Sequence, residues 1–202
     1  MRLLYQDIIL RDTCEADIED DIRWNMQETE WGDWDAPWEP IEPMEPDSYR
    51  QKERERLAAQ TLPGHRLEFE IDTADGVHLG TITTYCLRED FNWRENPAEA
   101  EQTEAYWGIG IDIKEPAYWS HGLGAQALSA FVRYHLDGGY EHLYIQTWSG
   151  NFRMVGLAEK LGFQECKRNR GYWQVRGKFY DGLTFRLDRT AFEAYCAGVP
   201  VL

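Results

Sequence analysis

Between Leu67 and Asp72 apolar and acidic side chains alternate one for one, and the alternation resumes from Val77 to Leu87 after Ala74-Asp75-Gly76. A period of two puts successive side chains on opposite faces of an extended strand, so two such runs around a glycine turn predict an antiparallel hairpin. The same period recurs in Trp107-Gly108-Ile109-Gly110-Ile111-Asp112-Ile113, where a half-buried central strand is expected. Leu123, Ala127, Leu128, Phe131 and His135 instead repeat at helical spacing, on one face of a helix that ends at Gly138-Gly139. Leu143 to Trp148 reads as a further strand. Asn151 then caps a short helix carrying Val155, Ala158 and Leu161, which stops at Gly162.

The flanking segments extend this plan. Asp7 to Arg11 is a first strand. Asp12 with Glu15 resembles a capping box, and Ile18, Ile22 and Met26 line one face of the helix that follows. Prolines at 40, 43 and 46 break any helix, so Glu30 to Pro46 is a loop. Ser48 with Gln51 repeats the capping box and opens a charged helix to about Gln60, ended by Thr61-Leu62-Pro63-Gly64. Arg88 to Thr103 is a polar surface excursion. Phe163 to Val175 and Phe179 to Leu187 form a second hairpin about Gly177, and a last short helix, Thr190 to Ala197, ends at Gly198. The order predicts an α/β fold: a mixed, mostly antiparallel sheet with helices on both faces and a parallel strand-helix-strand step at its centre.

The turn Tyr118-Trp119-Ser120-His121-Gly122-Leu123-Gly124-Ala125 carries the first chemical signal. Glycines let the backbone approach a ligand closely, and a new helix offers unpaired N–H groups at the positive end of its dipole, which together make a phosphate seat. A Gly-x-Gly turn alone describes a tight strand-to-helix connection equally well. With its surroundings, the stretch resembles the GNAT superfamily of acetyl-CoA-dependent N-acetyltransferases. Trp119-Ser120-His121-Gly122-Leu123-Gly124 looks like that family's pyrophosphate signature, and Asn151 through Ala158-Glu159-Lys160-Leu161-Gly162-Phe163 looks like its second signature. Gly177 to Leu183 is similar to the last hairpin of the branch that acetylates ribosomal-protein N-termini and related amines. The resemblance covers residues 104 to 188 well and the earlier part of the chain in outline.

The resemblance implies a GNAT-like sheet whose two central strands splay apart. It implies that the main chain of Ile111, Asp112 and Ile113 pairs with pantetheine and polarises the thioester. Trp119, Ser120, His121, Gly122, Leu123, Gly124 and Ala125 would cradle the pyrophosphate, and Asn151 would hydrogen-bond the pantetheine arm. Many family members carry a tyrosine acid just before Glu-Lys; that position here is Ala158. Tyr144 and Ser149 are the replacement candidates, with structural roles as their alternative. For the base, the candidates are Glu104, which sits in a run of Glu, or a loop carboxylate such as Asp33 or Asp35 acting through water.

Charge and composition narrow the acceptor. The chain has 202 residues, which suits one domain over 1–202 with a single core, and no apolar run long enough to span a membrane or serve as a signal peptide, so a soluble cytoplasmic protein is expected. Cys14, Cys86, Cys166 and Cys196 form no metal-ligand pattern, and no metal is expected. A net charge of −15 argues against nucleic acid, while backbone amides can still hold the phosphates of CoA. The first fifty residues hold fifteen Asp and Glu against four Arg. Such a field attracts cations, although a solvated acidic face that aids solubility is the plainer account. Trp31, Asp33, Trp34, Asp35 and Trp38 interleave indoles with carboxylates, which suits an organic cation through cation–π attraction, or else anchors a long loop. The expected activity is acetyl transfer from acetyl-CoA to a primary amine of a cationic small molecule, of polyamine or aminoglycoside type. The alternatives are a protein N-terminus, such as that of a ribosomal protein, and a non-catalytic acyl-CoA-binding module. The protein is expected to be a monomer or homodimer.

Overall fold

The computed structural model describes residues 1–62, 64–94 and 105–197. Its strands are β1 Arg2–Tyr5, β2 Ile8–Arg11, β3 Glu68–Thr73, β4 His78–Leu87, β5 Tyr106–Ile113, β6 Leu143–Trp148, β7 Phe163–Val175 and β8 Lys178–Leu187. Its α-helices are α1 Asp17–Met26, α2 Pro46–Ala59, α3 Leu123–Asp137, α4 Phe152–Lys160 and α5 Arg189–Tyr195. The strands form one sheet in the order β1-β2-β3-β4-β5-β6-β8-β7. Every pairing is antiparallel except β5 with β6, the step that α3 bridges.

The alternation along β3 and β4 gives the sheet two unlike faces. Phe69, Ile71, Leu79 and Ile82 are fully buried in the main core with Leu128 and Phe131 of α3 and Phe192 of α5. Glu70, on the other face, is buried under α1, where it accepts from Thr13 Oγ1 at 2.7 Å and meets His78 Nε2 at 3.2 Å. Arg11 reaches the same layer and donates to both carboxylate oxygens of Asp17, at 2.6 and 2.7 Å. Acids on this face are buried because they are paired, which is the condition under which a low-dielectric site tolerates them.

Local signals at the helix starts were misleading in two places. Asp12 does not cap α1; it pairs with Arg66 and the amino terminus, while α1 begins at Asp17 behind Ala16, which makes no side-chain cap bond. Nor does Ser48 open α2: Glu45 accepts from the amides of Asp47 and Ser48, and Pro46 occupies the first turn. A proline that ends helices from inside thus starts one here, where its missing N–H is no loss. Met26 is 46% exposed and off the buried face of α1. Strand β1 escaped notice because its turn to β2 is made by Gln6, at φ 52°, with no glycine to mark it. The excursion after Arg88 is described only to Arg94, where Trp93 bridges back to Leu87. Pro63, Glu104 and Gly198 lie outside the described residues.

Gly108 shows how tightly the sheet centre is built. A Cβ there would stand 2.2 Å from the Tyr85 ring, which crosses β5 at that point. Gly108→Ala is expected to cost about 1–3 kcal/mol, the usual penalty for overpacking. Urea unfolding measures this, and an unchanged midpoint would mean that the ring does not lie across β5.

Candidate active site

Strands β5 and β6 pair only at Trp107 with Leu143, Gly108 with Tyr144 and Ile109 with Ile145. Beyond Ile109 the first strand keeps its register with β4 alone, and beyond Ile145 the second keeps its register with β8 alone. The central strands therefore part, and the edges facing the gap carry backbone groups without a ladder partner. The gap forms one wall of a cleft of about 970 Å³ that runs from the turn before α3 to the tryptophan loop.

At one end lies the turn. Ser120 at φ 65° and Gly122 at φ 85° occupy the left-handed region, which turns successive amides outward. The amides of Ser120, His121 and Gly122 have no acceptor among the described residues, and those of Leu123 and Gly124 open α3, where no intrahelical carbonyl precedes them. Trp119 Nε1 donates to the Ile113 carbonyl at 2.6 Å and fastens the turn to the end of β5. A Cβ on Gly122 would meet nothing within 4 Å, so the space over the amides is open. Arg153, Gly156, Leu157 and Lys160 form one stripe of α4 along the same end, with the Arg153 guanidinium 4.4 Å from the ring centroids of Trp34 and Trp119. Open amides, a helix N-terminus and two cations fit a diphosphate.

Asn151 joins the two ends. Its Oδ1 accepts from the Met154 amide at 3.0 Å as the cap of α4, and its Nδ2 donates to the Trp34 carbonyl at 2.8 Å. Trp148 Nε1 donates to that same carbonyl at 2.8 Å, so the loop backbone is pinned to β6 and α4. One N–H and one lone pair of the Asn151 amide stay available for a ligand.

The far end is acidic and aromatic. Asp35 and Glu39 project from the loop and Asp112 from β5, between walls formed by Trp31, Tyr85 and Trp38. Trp38 stacks flat on Trp173 of β7, with centroids 3.7 Å apart. Neither Asp35 nor Asp112 has a hydrogen-bond or ion-pair partner for its carboxylate among the described residues. Lys114, the nearest cation, lies between the rings of Trp24 and Trp31 and pairs with Asp21 at 3.5 Å. Asp35 reaches the water of the cleft yet is walled in on its other sides; that burial raises its pKa, and repulsion from Glu39 raises it further. Burial, and then the charge of Asp35, push Asp112 up to about 7, with Lys114 opposing.

The sequence-derived candidates divide accordingly. Ile111, Asp112, Ile113, Trp119, Ser120, Gly122, Gly124, Ala125, Asn151, Trp31, Trp34, Asp35 and Trp38 all line the cleft. His121 is exposed beside it, and Leu123 packs on the core. Asp33 points away and pairs with Arg176. Trp34 stands at the end by the turn, its ring against Trp119 and Phe152. Tyr144 is 3% exposed and faces Phe91 and Tyr106, outside the cleft. Ser149 accepts from the Asp181 amide at 2.9 Å, and Ala158 is fully buried. Sequence reasoning passed over Arg153 and Lys160, seven residues apart on one helix face, and Tyr85, whose phenol makes a long 3.5 Å bond to Gln146 of β6. The facing glycines 108 and 110 were the trace of that tyrosine.

A family profile described as the acetyltransferase (GNAT) domain matches residues 7–164. The SPbeta prophage-derived uncharacterized N-acetyltransferase YokL of Bacillus subtilis (strain 168) is 26% identical over 96 residues, or 47% of this chain. The matched region spans about half of that relative, 54% of its length. Among solved structures, RimL, a ribosomal L7/L12 alpha-N-protein acetyltransferase in complex with coenzyme A, superposes with a TM-score of 0.62 at 15% identity, covering 89% of this chain and 93% of that one. A spermidine N-acetyltransferase SpeG chimera from Vibrio cholerae and hSSAT gives 0.61 at 14% identity, covering 92% and 98%. At these identities the superpositions speak to the fold, which is the same in both.

The two raised carboxyls tie stability to pH. A carboxyl whose folded pKa exceeds its unfolded 3.8 binds protons more tightly in the fold, so its contribution is favourable in acid and is lost as pH rises, for Asp112 through about 7. Asp35→Asn removes the mutual repulsion. Its melting temperature is expected to rise by about 2–4 °C at pH 8 and to stay near that of the wild type at pH 5. Equal shifts at both pH values would contradict this electrostatic account.

Proposed function

The chain belongs to the GNAT acetyltransferase family, and from that premise we propose that it acts as one domain transferring the acetyl group of acetyl-CoA to a primary amine of a cationic small molecule, of polyamine or aminoglycoside type. The observation that carries the reading is the continuity of the cleft. A seat for phosphates and a seat for cations face each other across the parted strands. The amides from Ser120 to Gly124, with Arg153 and Lys160, suit the diphosphate; the strand edge from Gly110 to Ile113 suits the pantetheine arm and thioester. The acceptor enters past Trp38 and Trp173.

Transfer requires a deprotonated amine next to a polarised thioester carbonyl, from which water is largely excluded. Main-chain N–H groups of β5 serve the carbonyl, so side-chain identity there is free to serve the acceptor. Three carboxylates, Asp35, Glu39 and Asp112, around an indole-lined space favour an acceptor with more than one positive charge over a peptide N-terminus, which brings a single charge. Ala158 favours the second reading, an acyl-CoA-binding module, because the tyrosine frequent at that position of the family is missing.

Release of free thiol from acetyl-CoA in the presence of polyamines, aminoglycosides and short peptides separates the readings. Release is expected with the polycations. Release with peptides alone would overturn the small-molecule acceptor, and tight CoA binding without release would favour the module. Gly122→Glu places an anion over the amides at a positive φ, and is expected to weaken CoA about tenfold or more in calorimetry. Unchanged affinity would remove the diphosphate from the turn. Trp38→Ala is expected to raise the KM of the acceptor more than that of acetyl-CoA; equal changes would count against the acceptor entrance.

A further inference from the structure

We infer that Asp112 takes the proton from the ammonium group of the acceptor, with Asp35, which lines the same cleft, as its positioning residue. This rests on the acetyl transfer proposed above and names the residue that makes the amine a nucleophile.

The argument begins with the face of β5. Ile109, Ile111 and Ile113 alternate toward α3, and the place of a Cβ on Gly124 of that helix is 3.8 Å from Ile113 Cγ1. Gly108, Gly110 and Asp112 therefore turn the other way. A Cβ on Gly108 would strike the Tyr85 ring, and one on Gly110 would lie 3.6 Å from the Thr83 methyl. The two glycines leave this face of the strand bare, and Asp112 is the first side chain to stand on it past the point where β5 and β6 part. Its own backbone belongs to the edge suited to the thioester. Asp112 thus holds a carboxylate beside the strand edge suited to the thioester, on a rigid strand, whereas Asp35 and Glu39 sit on a loop.

The charged groups around it set its strength. From the loop come Asp35 and Glu39, from β4 the Tyr85 phenol, and from just past the end of β5 Lys114. Lys114 is drawn toward Asp21 and leaves Asp112 without an ion pair. An amine of pKa about 10 arrives protonated, and a carboxylate of ordinary acidity is a poor match for its proton. Burial and Asp35 raise Asp112 toward neutrality, where a general base is most effective.

In the step itself, a carboxylate oxygen of Asp112 accepts one proton from the ammonium. The freed nitrogen lone pair forms the C–N bond at the thioester carbonyl, and the C–S bond breaks with its electron pair going to sulfur. The thiolate takes the second proton, which the nitrogen loses on becoming an amide, and Asp112 returns the first to water.

The test is the pH dependence of kcat/KM, with a polyamine as acceptor, for wild type, Asp112→Asn and Asp35→Asn, together with calorimetry of CoA binding. Wild-type kcat/KM is expected to fall about tenfold per pH unit below neutrality. Asp112→Asn is expected to bind CoA as the wild type does and to lose roughly 100-fold or more in kcat. Asp35→Asn is expected to remain active with the acid limb displaced to lower pH, a change that a merely structural role would not produce. Asp112→Asn that keeps both the rate and the acid limb would overturn the assignment while leaving acetyl transfer intact, and an unmoved limb in Asp35→Asn would overturn the role of Asp35. Absence of thiol release from the wild type with every amine would overturn the transfer reading, and this inference with it.

Discussion

Two neighbouring strands that pair at three positions and then part are the constraint on which the site depends. A fraying sheet would close such a gap or lose its edge to solvent. Here each strand is held rigid from its outer side, β5 by β4 along its whole length and β6 by β8 from Tyr144 to Trp148. Tyr85 lies across the crotch of the fork, over Gly108 and toward Gln146. The loop backbone is tied over the far side at the Trp34 carbonyl, which accepts from both Trp148 and Asn151. The unpaired backbone at the gap is thus a fixed feature, able to pair with an extended ligand as an edge strand pairs with another chain.

The acidity of the chain is sorted by place. Under α1 the carboxylates are matched: Asp17 and Asp72 with Arg11, and Asp20 and Glu70 with His78. For His78, burial alone would depress the pKa, but the bonds to Glu70 and Asp20 prevail and raise it, which favours the charged imidazole in that layer. In the cleft, by contrast, Asp35 and Asp112 have no ion-pair partner among the described residues at one end, while Arg153 and Lys160 stand at the other. A protein of net charge −15 in this way offers, in one continuous space, one end suited to a polyanion and another suited to a cation. The separation is possible because the end by the turn presents backbone amides, which the net charge does not dilute.

Much of this was legible in the chain, and the misses share a cause. Periodicity located the strands β3 to β6 and β8 and the helices α3 and α4, because each buries part of one face against a common core, whereas β7, largely exposed between Phe163 and Val175, was marked by its glycine turn to β8. The turn from Ser120 to Gly124 was readable from glycine spacing, since a positive φ restricts the residue type there. Caps at Asp12 and Ser48 were misread because an acid or serine near a helix start carries no record of competing partners, here Arg66 and Glu45. The aromatic loop was recognised as chemistry, but its division was hidden. Trp34 stands at the end by the turn, Trp38 at the acidic end and Trp31 in the wall beside Lys114. That sorting, like the meeting of Asp35 with Asp112, depends on contacts between residues far apart in sequence, which periodicity does not encode.

The central claim is that coenzyme A threads the parted strands with its diphosphate on the turn before α3. A crystal structure of the acetyl-CoA complex tests it most directly. The account predicts diphosphate oxygens on the amides between Ser120 and Gly124, and the pantetheine arm along β5 from Gly110 to Ile113 with the acetyl carbonyl in the gap beside Asp112. A pantetheine arm lying outside that gap, or phosphates away from the turn, would contradict it.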